Sequence, residues 1–357
     1  MESELELVST HLCCLLFLLL IISISPGYLE ASSSSSSSPK LLFVFGDSYA
    51  DTGNLRKSLG NSWKDPYGTT FPGKPAGRFS DGRVLSDYLA KFLGLSSPFP
   101  YTWMKLAGDG KKLRAGMNFA YGGSGVFDTY AKLPNMTTQI DFFDNLIATS
   151  FYTKHDVYSS LVLVCLSGND YGAFIAKGGA VEDIEKFIPL VIDQLVANLK
   201  RISRLGASKV VVTTLQPMGC LPRTTRRSSY QKCNTTENMA TSYHNLLLQQ
   251  AVAGLNNISK SPSFFVMDLY RSFTAVLDPN QDSPGDSKFQ SLLKPCCIGV
   301  NDEHSCGSVD DNGKKLYTVC SDPRSAFFWD EVHPTEAGWR AVYTMLRSSL
   351  GEFVKSS

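Results

Sequence analysis

Short apolar runs rich in β-branched and aromatic residues recur along this chain, separated by longer amphipathic stretches. LLFVF (41–45), SSLVLVCL (159–166), KVVVTTL (209–215) and SFFVMDL (263–269) are strand-length and largely without polar alternation. Such runs are buried on both faces of a sheet. MNFAY (117–121) is a weaker fifth candidate. Between them VLSDYLAKFLG (84–94), VEDIEKFIPLVIDQLVANLKRISRLG (181–206) and TENMATSYHNLLLQQAVAGLNN (236–257) show helical spacing, and a last helix follows Pro334 with Thr335 and Glu336 in its first turn. Strand, helix, strand repeated in this way needs crossover connections. The pattern predicts one α/β/α domain over 41–357, in three layers around a mostly parallel five-stranded sheet.

Ahead of that domain, LCCLLFLLLII (12–22) is an unbroken apolar run of 11 residues. A membrane span needs about 20, so no stable span is expected and the run suits a secretory signal over 1–31, cleaved near Ala31. The preceding segment departs from that pattern, with Glu2, Glu4 and Glu6 and no Lys or Arg. The serines that follow make 32–40 a flexible leader. Losing residues 1–31 removes four Glu and no basic residue, taking the net charge from +1 to +5. A charge so near neutral does not advertise nucleic-acid binding.

Cys13 and Cys14 fall in the signal, and Cys165 sits inside an apolar run as a buried thiol. Cys220, Cys233, Cys296, Cys297, Cys306 and Cys320 lie in loop-like sequence, and an even number in an exported chain reads as disulfides. Adjacent Cys296 and Cys297 and the absence of any C-x-x-C spacing argue against zinc. Sequons at Asn135, Asn234 and Asn257 fit an exported glycoprotein.

In an open parallel sheet, ligands bind beyond the carboxyl ends of the strands. After the first run comes Gly46-Asp47-Ser48; after the weak one, Gly122-Gly123-Ser124-Gly125; after the third, Ser167-Gly168-Asn169-Asp170. Before the last helix stands Asp330-Glu331-Val332-His333-Pro334. Singly each is ordinary turn chemistry. Together they meet one requirement: a serine hydroxyl, a base within reach, an acid to orient that base, and donors for an oxyanion. His333 is the favoured base, Asp330 its orienting acid, and Ser48 the nucleophile. The Ser48 amide, a glycine amide from 122–123 and the Asn169 side chain are the expected oxyanion donors. Asp47, Asp51 and Asn54 read as braces of the loop after Ser48. Trp103, Phe327, Phe328 and Trp329 suit either a pocket wall or the core, and Arg223, Arg226 and Arg227 a solvated surface.

FVFGDSYADTGN (43–54), GRFSDGR (77–83), NFAYGGSG (118–125), SGND (167–170) and FFWDEVHPTEAGW (327–339) resemble, in content, order and spacing, the SGNH hydrolases, and specifically the plant GDSL esterase/lipase branch. The resemblance implies a flavodoxin-like sheet and a Ser-His-Asp site with no metal or organic cofactor. By position it assigns Ser48, His333 and Asp330 to catalysis, with Gly123 and Asn169 completing the oxyanion hole and Gly122 still open. The sequence departs from the family at Tyr49, where the name spells Leu, and at Asp81, where Asn is commoner.

The expectation is a secreted monomeric serine esterase acting on a small-molecule or lipid ester through an acyl-enzyme on Ser48. An acyltransferase would use the same acyl-enzyme with an alcohol acceptor. A non-catalytic binding protein on the same scaffold is the reading of another class.

Overall fold

The computed structural model describes residues 38–106, 115–130, 132–259, 263–278 and 289–356. The expected signal segment and residues 32–37 of the leader lie outside them.

The apolar runs become strands β1 (Leu42–Gly46), β2 (Phe99–Pro100), β3 (Gly116–Asn118), β4 (Leu161–Cys165), β5 (Lys209–Thr213) and β6 (Phe264–Met267). They form one sheet in the order β2-β3-β1-β4-β5-β6, with every neighbouring pair parallel. The sheet therefore has six strands where five were expected. The extra one, β2, is two residues long and contains Pro100, so it offers no alternation to read and sits at an edge, where a missing N–H is tolerated. β1 and β4 are buried at every position, as unalternated runs require.

Helices cover the sheet: α1 (Leu85–Phe92), α2 (Met136–Ala148), α3 (Lys154–Tyr158), α4 (Asn169–Ala176), α5 (Ile184–Arg204), α6 (Pro222–Thr225), α7 (Thr235–Ser259), α8 (Leu269–Leu277) and α9 (Glu336–Lys355). α2, α5 and α7 pack successively on one another, while α1 and α8 each pack on α9. The long α5 shows the logic: Ile188, Val191, Ile192, Leu195, Leu199 and Ile202 form one buried stripe. α2 went unread in the sequence although Met136, Ile140, Phe143 and Leu146 are buried at helical spacing.

A second, smaller core lies around the antiparallel hairpin of β7 (Cys297–Gly299) and β8 (Tyr317–Val319). Disulfides Cys296–Cys320 and Cys297–Cys306 staple it, and Tyr67, Tyr317, Ala326 and Trp329 fill it. The third disulfide, Cys220–Cys233, spans the α6 region up to α7, and the Cys165 thiol is buried and free. Two sequon asparagines act as caps. Asn135 accepts from Thr138 N at the start of α2, and Asn234 accepts from Thr236 N and Glu237 N at the start of α7. Asn257 is exposed.

The winding direction reverses at β1, with β3 on one side and β4 on the other. That reversal opens a crevice at the carboxyl ends of these three strands.

Candidate active site

β1 ends on Gly46, where the chain must turn sharply into the crevice. Its φ is +142°, and a Cβ there would overlap the Cys165 carbonyl, so only glycine fits. Gln139 of α2 clamps the same residue, accepting from Gly46 N at 2.8 Å and donating to Gly46 O at 2.9 Å. Asp47 O then accepts from Ala50 N and Asp51 N, and Asp47 Oδ1 from Tyr49 N at 3.0 Å. The turn leaves Ser48 5% exposed, with its amide bonded to nothing among the described residues.

Ser48 Oγ lies 2.8 Å from His333 Nε2. The other ring nitrogen, Nδ1, lies 2.8 and 2.9 Å from the two carboxylate oxygens of Asp330. Asp330 Oδ1 also accepts from Val332 N at 2.9 Å and His333 N at 2.8 Å, a tight local loop that dictates where the ring stands. Burial alone would raise the Asp330 carboxyl. The His333 charge and these hydrogen bonds outweigh it and hold the group below its ordinary value. Tyr49 OH donates to Val332 O at 2.9 Å, tying the residue after Ser48 to the residue before His333.

The two adjacent glycines differ in their hydrogen bonds. Gly122 N donates to Asp51 Oδ2 at 2.9 Å. Gly123, with φ +84°, has its N–H unbonded among the described residues. Asp51 also accepts from Gly53, Asn54 and Leu55 N–H groups, so one carboxylate joins the loop after β1 to the loop after β3. Asn169, the first residue of α4, follows Gly168 in a left-handed turn. Its Nδ2 donates to Asp47 Oδ2 at 2.9 Å and to Ser124 O at 3.0 Å. Asp47 Oδ2 further accepts from Ser167 N and Oγ. Burial pushes both Asp47 and Asp51 up to about 6 against these hydrogen bonds.

A hydroxyl, an imidazole and a carboxylate stand in line, and the turns after β1, β3 and β4 carry the free Ser48 and Gly123 N–H groups and the Asn169 amide. Such a site suits acyl transfer from an ester. The GDSL-like lipase/acylhydrolase family model matches residues 42–344. The chain belongs to that family. Among its relatives, GDSL esterase/lipase At5g03610 of Arabidopsis thaliana is 55% identical over 87% of each chain. GDSL esterase/lipase At3g09930 of the same plant is 52% identical, over 87% of this chain and 88% of its own. At5g03590 is 43% identical over 90% and 91%. The protein is a carboxylic ester hydrolase.

Within this GDSL hydrolase the structure also separates the remaining residues. Phe327, Phe328 and Trp329 are fully buried, the first two in the main core and Trp329 in the disulfide-bearing one. Trp103 is 37% exposed and stacks on Trp63, its Nε1 donating to Gly53 O. Phe79, inside the GRFSDGR stretch, is the aromatic that sequence reasoning missed. Its ring centroid is 4.9 Å from that of His333, and it lies where a Gly122 Cβ would be. A glycine beside a lone aromatic in a short motif carries that signal only once the fold is known. Asp81 caps α9 by accepting from Glu336 N, and among the described residues no hydrogen bond joins it to Ser48, Asp330 or His333. Among the other histidines, His244 is buried against Tyr171 OH at 2.6 Å and pushed down to about 3 by burial. Arg226 pairs with Glu331 and Asp302.

Proposed function

We propose that this hydrolase cleaves esters through an acyl-enzyme on Ser48, with His333 as general base and Asp330 as its orienting acid. The observation that carries the reading is the continuous contact from Ser48 Oγ through both His333 nitrogens to Asp330. As Oγ attacks the ester carbonyl, His333 Nε2 takes the hydroxyl proton and Asp330 holds the resulting imidazolium. The carbonyl electrons move onto oxygen, which the N–H groups of Ser48 and Gly123 meet. Asn169 adds a third donor by turning one hydrogen from Ser124 O while keeping Asp47. Collapse returns the proton to the leaving alcohol. Water, deprotonated by the same imidazole, then releases the acid and restores the Ser48 hydroxyl.

Ser48→Ala is expected to abolish turnover of p-nitrophenyl esters and labelling by a fluorophosphonate, with thermal stability retained. An active or labelled Ser48→Ala protein overturns the reading.

The same proposal places residues 41–357 in one hydrolase domain that acts as a monomer after export and cleavage of 1–31. Three disulfides support an oxidising compartment. Among the described residues no helix is long and apolar enough to cross a membrane.

A further inference from the structure

Tyr67 lies 263 residues from Asp330 in sequence, yet its OH donates to Asp330 Oδ2 at 2.7 Å. The side chain is 4% exposed and belongs to the disulfide-bearing core with Cys296, Cys297, Cys306 and Trp329. Its ring meets Trp329 edge-on at 6.0 Å and Phe79 edge-on at 6.4 Å, and Phe79 lies against His333. We propose that Tyr67 is a positioning residue of this esterase, fixing the rotation and charge distribution of the Asp330 carboxylate. The proposal rests on the reading that Ser48, His333 and Asp330 perform the chemistry.

The two Asp330 oxygens are unequally served. Oδ1 takes the Val332 and His333 amides and His333 Nδ1. Among the described residues Oδ2 has only the shared imidazole proton and Tyr67. In a buried site, an under-satisfied carboxylate oxygen is costly and rotates to find a donor. Tyr67 removes that incentive, so Oδ1 stays on Nδ1. Burial, then the Asp330 charge, raises the phenol well above its ordinary value, so it remains a donor throughout the working range. Donation to Oδ2 also draws charge from the carboxylate, which weakens its hold on an imidazolium and keeps His333 available as a base. The other ionisable neighbours are Asp47, whose charge acts on His333, Tyr49, whose ring is edge-on to His333, and Glu331, which acts on Tyr67. Among the described residues only Tyr67 and His333 donate side-chain hydrogens to Asp330.

Tyr67→Phe keeps the ring and removes the donor. In this variant kcat is expected to fall about tenfold with KM changed less than about twofold, the loss of one hydrogen bond to a charged group. The acid limb of kcat/KM is expected to move to higher pH, because a more basic carboxylate stabilises imidazolium. In an Asp330→Asn background the same substitution is expected to add no further loss, since Tyr67 acts only through Asp330. Melting temperature and fluorophosphonate labelling of Tyr67→Phe report its folding. A wild-type rate with an unmoved acid limb overturns the proposal. So does a loss that multiplies with that of Asp330→Asn, which would mark a packing effect. Labelling of wild-type Ser48 separates the two readings: a labelled enzyme indifferent to Tyr67→Phe overturns the positioning role alone. An unlabelled wild-type enzyme overturns the acyl-enzyme reading and this role with it.

Discussion

Ser48, Gly123 and Asn169 follow the carboxyl ends of three adjacent parallel strands, whereas Asp330 and His333 sit on an irregular loop outside the main sheet. The first group inherits its positions from the sheet. β1 pairs with β3 and β4, so the turns that follow them converge on the crevice. Two buried carboxylates, Asp47 and Asp51, then lash those turns together. The second group has no such scaffold. Its loop is held by Trp329 N to His333 O at 2.7 Å and by the stapled hairpin, where Cys296 N and Cys297 N donate to Phe328 O and Trp329 O. Tyr67 reaches it from across the chain. A generic architecture places Ser48, Gly123 and Asn169, and chain-specific devices place His333 and Asp330.

The loop half has a single line of action, so breaking it is expected to have the larger effect. Asp330→Asn retains size but presents an amide where His333 Nδ1–H needs an acceptor, favouring the wrong tautomer. A kcat loss of about 10⁴ is expected, by analogy with other triads. Steady-state hydrolysis of p-nitrophenyl acetate checks it, and a loss below about tenfold would show that the loop half is not the weak point.

In the proposed mechanism the sheet half distributes its task over three donors. Asn169→Ala removes one and leaves two backbone N–H groups, so a kcat loss of about 10² to 10³ is expected with KM nearly unchanged. Asp47 keeps its bonds from Ser167 and Tyr49 in this variant, so the melting temperature should hold. An unaltered kcat would remove Asn169 from the oxyanion hole and leave it as a brace for Asp47.

The same contrast decides what the sequence discloses. Ser48, the Gly122-Gly123 pair and Asn169 were legible as candidates because each stands in the turn after an apolar run, and that rule needs no knowledge of distant contacts. Asp330 and His333 were legible as residue types close together before a capped helix. Tyr67 was not, because its partner is 263 residues away and no periodicity marks it. The difference between Gly122 and Gly123 was hidden too, since Asp51 takes the Gly122 amide across 71 residues. Cysteine count gave the number of disulfides but not that Cys296 pairs with Cys320 and Cys297 with Cys306, because six cysteines allow 15 pairings. Helix α2 was readable in principle, yet its Gln139 clamp on Gly46 lies 93 residues from the turn it holds.

The smallest expected effect turns on pH, and its sign differs between the two halves. Asp47 and Asp51 are raised by burial from 3.8 to about 6, so each binds its proton more tightly in the folded chain than in the unfolded one. Folding therefore gains stability as pH falls through about 6, and the gain is complete below 3.8. Asp330 is lowered, so its contribution is present above 3.8 and is lost only as pH falls through its lower folded value. Of these three carboxyls only Asp47 and Asp51 should respond from pH 7 to 5, each adding about 1 kcal/mol. Stability measured by urea unfolding across that interval should slope less steeply in Asp51→Asn than in wild type by about that amount. Asp330→Asn should leave this difference in slope untouched. Asp51→Asn also turns an amide toward the Leu55 and Gly122 N–H groups, which lowers stability at every pH, so the slope and not the absolute value carries the test. An unchanged slope would mean that Asp51 titrates as a solvated carboxyl, and that the lashing between the β1 and β3 turns is wet and loose.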